Sequence, residues 1–455
     1  MNTDDTIVAI STPLGRGAIS IVRFSGRDAI KIIKKIFVPN IDKDFTQPGV
    51  YTGKIQDKDE IIDEVVVIVR RSPKSFTGED LIEINCHGGL LVTNDVLNVV
   101  IKNGARHAEP GEFTLRAFLN KKIDLTQAEA LNDLINAKTE KSKKYALSQL
   151  LGHFSKYVEL ISAELKKLLV KLEVSIDHPD EDIEFITYPQ IKEHIISIIK
   201  KIDKLLSTAQ RGKAFRYGIN AVIVGKANAG KSSLFNFLLR KDRAIVSDIP
   251  GTTRDIIEDW IDIEGLPVKL IDTAGFKEAF DMIEHISLKK TEEAIKYSNI
   301  VIAIFDASKE FEKEDIDLIK RLNSMKDKVI FVLNKVDLSM KMDCNELKKK
   351  VKKKIFKISA LNGKGIEHLE KEIKRLAIGK ETNEDILVTN IRYENLLKSS
   401  KIYLEEALKG VLSDIPEEFI ASDIRRAIKE LEEIIGKFST EDLLSSIFSN
   451  FCIGK

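Results

Sequence analysis

The residues whose types and spacing could do chemistry are gathered in Gly225-Lys226-Ala227-Asn228-Ala229-Gly230-Lys231-Ser232, between the apolar run Ile219 to Val224 and the helix-forming run Leu234 to Leu238. A buried strand feeding a glycine-rich turn and then a helix is the setting a phosphate-binding loop requires. Backbone N–H groups of Asn228, Ala229, Gly230, Lys231, Ser232 and Ser233 would face phosphate oxygens, with the Lys231 ammonium as a point charge on the outer ones. Ser232 is placed to offer its hydroxyl to Mg²⁺. An ordinary glycine-rich strand-to-helix turn has the same spacing, so the segments downstream decide.

Four such segments follow. Asp272-Thr273-Ala274-Gly275 comes after the strand-like Val268 to Ile271, where a carboxylate can reach the Mg²⁺ shell and a glycine backbone can approach a γ-phosphate. Asn334-Lys335-Val336-Asp337 ends the run Val329 to Leu333, and a carboxylate at Asp337 can accept both N–H donors of guanine, which adenine does not supply. Ser359-Ala360-Leu361 would complete the base pocket, and Gly251-Thr252-Thr253-Arg254-Asp255 lies between loop and sensor as a mobile segment. This order resembles that of the Ras-like GTPases. Gly275 is followed by Phe276 rather than a water-orienting Gln, which fits a subgroup resembling the potassium-activated GTPases, with Asn228 at the cation-holding position of the loop.

The elements that must carry these residues fall into four stretches. Residues 1–118 alternate short strands (Ile7 to Ile10, Ile19 to Phe24, Val50 to Ile55, Glu64 to Val69, Leu81 to Asn85) with helices at Ala29 to Phe37 and Leu90 to Lys102, an α+β pattern. Residues 119–215 are helical: Leu147, Leu151, Phe154, Val158, Ile161, Leu165, Leu168 and Leu172 predict one seam on a long helix, and Ile191 to Leu205 a second helix antiparallel to it. Residues 216–378 are the nucleotide-binding module, and 379–455 return to helix through Ile420 to Ile435, so the module reads as an insertion in a helical domain. The fold expected is therefore multidomain, with an N-terminal α+β domain, a central helical domain and an inserted α/β Ras-like P-loop GTPase domain.

Composition narrows the rest. With 72 Lys+Arg against 71 Asp+Glu, no global field marks a nucleic-acid binder, so any RNA contact is local. The lysine run Lys348 to Lys354 is either such a contact or a solvated helix face. Cys86, Cys344 and Cys452 lack metal-ligand spacing, the acidic start Met1-Asn2-Thr3-Asp4-Asp5 is unlike a targeting peptide, and no apolar run reaches spanning length, so a cytoplasmic protein without a membrane segment is expected. His87-Gly88-Gly89 reads either as a ligand-approach turn or as a plain strand-to-helix connection, and Asp177 to Asp182 as a solvated loop rather than a metal site.

Taken together, the chain resembles the bacterial and organellar tRNA-modification GTPases of the MnmE (TrmE) family. The resemblance rests on Thr12-Pro13-Leu14-Gly15-Arg16-Gly17, Arg23-Phe24-Ser25-Gly26, Ser75-Phe76-Thr77-Gly78-Glu79-Asp80, His87-Gly88-Gly89, Pro110-Gly111-Glu112-Phe113, Arg116-Ala117-Phe118-Leu119-Asn120 and the tail Cys452-Ile453-Gly454-Lys455. It implies a homodimer formed through a folate-binding-like N-terminal domain holding 5-formyl- or 5,10-methylene-tetrahydrofolate on Arg23, Glu83, Lys122 and Lys455. It implies that a potassium-activated GTPase works with an FAD-dependent partner, MnmG (GidA), in a heterotetramer or larger complex, adding a carboxymethylaminomethyl-type group at C5 of the tRNA wobble uridine. The nucleotide site would extend over Ser247-Asp248-Ile249-Pro250-Gly251-Thr252-Thr253, with K⁺ on Asn228, Ser247, Ile249 and Thr252, and Mg²⁺ on Ser232 and Thr253. Catalytic roles fall on Glu284, as water-orienting acid, and on Cys452, near the one-carbon chemistry. Singly, Arg23, Glu83 and Lys122 read as snorkelling or solvated charges, and Glu284 as a first-turn helix glutamate. The alternative class is an RNA-binding regulatory GTPase of ribosome assembly resembling Era, which modifies nothing; a third reading makes the flanking regions a dimerisation scaffold.

Overall fold

The computed structural model describes residues 4–41, 44–177, 186–242, 258–272, 292–379 and 386–454. These form two compact units, one of residues up to 132 together with 431–454, the other of 133–430.

In the first unit the strands are β1 (Ile7–Ile10), β2 (Ile19–Ser25), β3 (Phe37–Pro39), β4 (Gly49–Asp57), β5 (Glu60–Arg70), β6 (Leu81–His87) and β7 (Arg106–His107). Among the described residues they make one sheet in the order β3-β4-β5-β6-β2-β1-β7, antiparallel throughout except for the β1–β7 pair. Helices α1 (Ala29–Ile36) and α2 (Leu90–Lys102) cover one face. Period-2 alternation explains the arrangement: Val22, Phe24, Val65, Val67, Val69, Ile82 and Ile84 point into that core, which turns Arg23 and Glu83 to the opposite face. Helices α3 (Glu112–Leu119) and α4 (Leu125–Ile135) follow. Within α3, Arg116 is 1% exposed and its terminal nitrogens pair with Glu112 at 3.0 Å and with the Asp5 and Glu79 carboxylates, an ion network that ties α3 to the start of β1.

In the second unit, α5 (Glu140–Leu150), α6 (His153–Asp177), α7 (Tyr188–Ser207) and α8 (Ala209–Tyr217) precede the sheet. The expected seam is only partly realised. Phe154, Val158, Ile161, Leu165, Leu168 and Leu172 are buried along α6, but Leu147 and Leu151 are 44% and 57% exposed. The helix breaks because Gly152 adopts a left-handed φ of 82°, and α5 instead buries Gln149, which donates to Tyr393 Oη and accepts from Thr389 Oγ1, both at 3.0 Å. Ile191, Ile195, Ile198, Ile202 and Leu205 form the buried stripe of α7, as their spacing predicts.

The strands of this unit are β8 (Ile219–Gly225), β9 (Glu258–Ile263), β10 (Leu266–Asp272), β11 (Ile300–Asp306), β12 (Val329–Asn334) and β13 (Ile355–Lys357). Their order is β13-β12-β11-β8-β10-β9, parallel except for the antiparallel edge strand β9. Such a sheet must be covered on both faces, and alternate residues of β8 do divide: Ala221 and Ile223 enter one core, Val222 and Val224 the other. Helices α9 (Lys231–Asp242) and α12 (Ile366–Ile378) supply the first core, α10 (Lys313–Leu322) and α11 (Cys344–Val351) the second. Helix α13 (Ile391–Leu412) and most of α14 (Glu417–Ile434) belong to this unit, with Lys401 on α13 paired to Asp203 on α7, while α15 (Glu441–Phe448) belongs to the first. Among the described residues no helix is long and apolar enough to cross a membrane.

Candidate functional site: a nucleotide cradle and a polar cavity

The parallel strands β8, β11 and β12 deliver their C-terminal ends side by side, and the chemistry-bearing loops leave from there. The loop after β8 is strained into shape by Asn228 at φ 63° and Gly230 at φ 97°. At Gly230 a Cβ would lie 2.1 Å from Asn334 Nδ2, so only glycine allows the two loops to meet. Lys231 Nζ donates to the carbonyls of Gly225 (3.1 Å) and Lys226 (2.8 Å), which holds the ammonium over the hollow of the loop. Ser232 and Ser233 open α9 with exposed side chains, where helix N–H groups and the macrodipole suit an anion.

The turn after β12 is bound directly to this loop. Asn334, 1% exposed, donates from Nδ2 to the Ala229 carbonyl at 2.9 Å and accepts at Oδ1 from the Ala360 N–H at 2.9 Å. Lys335, at φ 64°, donates to the Asn228 carbonyl and to Asp306, both at 2.7 Å. Burial pushes the Asp306 carboxyl up, but its bonds to Lys335 and Ser308 outweigh that and hold it below the usual range. Asp337 and Leu361 are exposed beside this frame, whereas Ser359 and Ala360 are buried in it. Among the described residues the Asp337 carboxylate has no partner, so it could accept hydrogen bonds from a ligand, while its neighbours fix the spacing between this turn and the phosphate loop.

The sequence reading missed two supports. Asp306 closes the continuous apolar run Ile300 to Phe305, a signal that was legible. Lys226 reaches from the phosphate loop to Glu312 (2.6 Å) and Asp315 (2.7 Å) at the start of α10, a pairing between distant segments that no local pattern announces. Ser247, Asp248, Ile249, Pro250, Gly251, Thr252, Thr253, Thr273, Ala274, Gly275, Glu284 and Lys455 lie outside the described residues, as does most of the acidic stretch after Asp177; Asp272 is described only as the end of β10.

The other site belongs to the first unit. Arg23 and Glu83, opposite one another on β2 and β6, form an ion pair at 2.6 Å with side chains 21% and 14% exposed, so neither is a solvated charge. A cavity of about 410 Å³ opens beside them, lined also by Arg70, Phe76, Leu81 and Leu131. The chain's tail comes to the same place: the Gly454 carbonyl accepts from Arg23 (3.3 Å) and from Ser11 Oγ (3.2 Å). It is held there because Gly111 N–H donates to the Cys452 carbonyl (3.4 Å) and Phe448 and Phe451 pack with Leu115 and Leu125. Cys452 itself is exposed and unbridged. Lys122 donates to the Pro73 carbonyl at 2.9 Å and does not line the cavity. In the His87-Gly88-Gly89 turn, Gly88 approaches the backbone of Gly17, where a Cβ would lie 2.4 Å from a carbonyl oxygen, so the tight fit there is to the chain itself.

Comparison with known proteins adds the relationship that geometry alone does not give. Residues 6–122 match the family model described as the GTP-binding protein TrmE N-terminus, and residues 125–452 that of the MnmE helical domain. The tRNA modification GTPase MnmE of Thermoanaerobacter pseudethanolicus is 43% identical over 459 residues, covering 99% of both chains. That of Ligilactobacillus salivarius is 44% identical over 457 residues, covering 99% of this chain and 98% of the relative. Among solved structures, the G domain of the T. maritima FeoB iron transporter is 26% identical over 35% of this chain and 98% of its own, with a TM-score of 0.28, too partial a superposition to bear on the fold. Family models across both the N-terminal and helical regions, together with relatives aligned end to end, establish that the chain belongs to the MnmE (TrmE) family of tRNA modification GTPases.

Proposed function

We propose that the chain hydrolyses GTP to GDP and phosphate with potassium as activator. Working as a homodimer with an FAD-dependent MnmG-type partner in the cytoplasm, it adds a carboxymethylaminomethyl-type group to C5 of the tRNA wobble uridine. The observation that carries the GTPase part is the bond from Asn334 to Ala229, which makes guanine recognition and phosphate binding one rigid frame. Lys231 would leave its two carbonyl acceptors for the outer phosphates, and the loop N–H groups would take the bridging oxygens. Asp337 selects guanine over adenine by accepting from its N–H edge.

The donor set fits the cations. Asn228 is exposed on the loop with an amide oxygen to offer, and Ser232 offers a hydroxyl at the helix start. Bound there, K⁺ and Mg²⁺ would supply positive charge against the phosphates in place of an arginine finger. Glu284 would orient the attacking water. The cavity beside Arg23 fits a reduced folate by its volume, its apolar wall of Phe76 and Leu81 and its Glu83 carboxylate, which can accept from an amidine-like ring edge. A reduced folate would supply the one-carbon unit, and the tail would carry Cys452 to the mouth of that cavity.

The test is GTP turnover in potassium against sodium at equal ionic strength. Turnover should be faster in potassium, and Asn228→Ala should lose that difference while keeping most of its nucleotide affinity. Glu284→Ala should bind GTP but turn over at least ~10²-fold more slowly. Equal rates in the two salts would overturn the cation assignment.

A further inference from the structure

The cavity beside Arg23 holds one cation that the family motifs and the ion pairs leave unused. Arg23 and Glu83 neutralise each other at 2.6 Å, and Arg71, just past the end of β5, pairs with Asp80 at 3.2 Å. Arg70 lines the same cavity, and its guanidinium has no ion pair or hydrogen bond among the described residues. The β5–β6 register sets Ile68 opposite Glu83 and Arg70 opposite Leu81, so Arg70 stands on the same sheet face as Glu83, about 7 Å along the strand direction at the usual rise. Val67 and Val69 point the other way, into the helix-covered core, which fixes that orientation of Arg70 by alternation. Phe76, Leu81 and Leu131 make the apolar part of the lining. With one pair cancelled, the cavity offers a neutral hydrogen-bonding pair, an apolar lining and, beside Leu81, an exposed guanidinium. That combination suits a ligand that carries a polar ring and a carboxylate, and a guanidinium binds a carboxylate through two parallel bonds.

We propose that Arg70 is a specificity-determining residue that pairs with a carboxylate of the ligand's glutamyl group and so sets the ring toward Glu83 and Arg23. This rests on the reduced-folate reading of the cavity. A lysine would supply charge without the planar fork, and an apolar residue would supply neither.

The experiment is calorimetric titration of the full-length protein with 5-formyltetrahydrofolate and with the matching pteroate, which lacks the glutamyl group. The wild type should prefer the glutamylated ligand by roughly tenfold or more, the scale of a charge-assisted hydrogen-bonded pair. Arg70→Met should bind both ligands with the weaker, pteroate-like affinity, and Arg70→Lys should recover part of the preference. A general structural defect would instead weaken both ligands equally. Retained preference in Arg70→Met, or an equal loss for both ligands, overturns the assignment alone. Failure of the wild type to bind either ligand overturns the folate reading and the assignment with it.

Discussion

The side-chain amide of Asn334 donates to the backbone carbonyl of Ala229 at 2.9 Å, so a buried group links the turn after β12 to the phosphate loop, beside the more exposed bond from Lys335 to the Asn228 carbonyl. Replacing Asn334 by alanine would leave the Ala229 carbonyl and the Ala360 N–H unsatisfied, each at a cost of about 1–3 kcal/mol. Asn334→Ala should therefore weaken GDP and GTP binding by roughly 10²-fold, measured by titration with a fluorescent nucleotide. The nucleotide-free protein should keep its circular dichroism spectrum. Affinity within a few-fold of wild type would show that the two loops hold their spacing without the bridge.

Asp337 is exposed next to this frame and has no side-chain partner among the described residues, consistent with a group kept for a ligand. Asp337→Asn places a donor where the carboxylate only accepts, so discrimination between GTP and its xanthine counterpart should relax or reverse. Competition binding of the two nucleotides measures this directly. Unchanged discrimination would take Asp337 out of base recognition.

What the sequence made legible, and what it did not, follows from the range of the interaction involved. Strands β8, β10 and β12 and the loops after β8 and β12 were readable because apolar runs and glycine turns act over a few residues. The pairing of Arg23 with Glu83 was not, since each is an unremarkable charge until the β2–β6 register sets them opposite. The same applies to Lys226, whose partners lie 86 and 89 residues away. Helix α5 misled for a different reason: Leu147 and Leu151 continue the spacing of α6, but Gly152 ends the helix and a buried polar network around Gln149 chooses the inward face. The docking of Gly454 on Arg23 joins residues 431 positions apart and leaves no local trace.

Trp260 is the chain's single tryptophan, and the Lys138 ammonium sits 3.1 Å from the centroid of its ring. Next to it, the Thr139 hydroxyl donates to the Gly265 carbonyl at 2.7 Å, so the start of α5 rests on the β9–β10 turn. Burial, with Lys269 close by, pushes the Lys138 ammonium down to about 8 from 10.5. Below pH 8 the amine is protonated folded and unfolded alike; between 8 and 10.5 only the folded protein has released the proton, so this group's contribution to stability rises across that window. Native tryptophan emission should accordingly titrate with a midpoint near pH 8, and Lys138→Met should remove the step. An unchanged titration in that variant would assign the step to another group.

Cys452 is exposed on a tail fixed at both ends, by Gly111 on its own carbonyl and by Ser11 and Arg23 on Gly454. The tail's Gly454 carbonyl reaches Arg23 of the cavity, two residues beyond Cys452, and an exposed thiol beside a bound one-carbon donor could act as a nucleophile. Cys452→Ser should abolish tRNA modification with the partner while leaving GTP hydrolysis near the wild-type rate. Joint loss of both activities would instead give the tail a folding role.

The most direct measurement is mass analysis of the wobble nucleoside in tRNA incubated with the full-length protein, the proposed FAD-dependent partner, a reduced folate and potassium. One arm contains GTP and the other a non-hydrolysable analogue. The account predicts the mass increment at C5 of the wobble uridine with GTP and its absence with the analogue. Equal modification in both arms, or no modification while GTP is being hydrolysed, would contradict it.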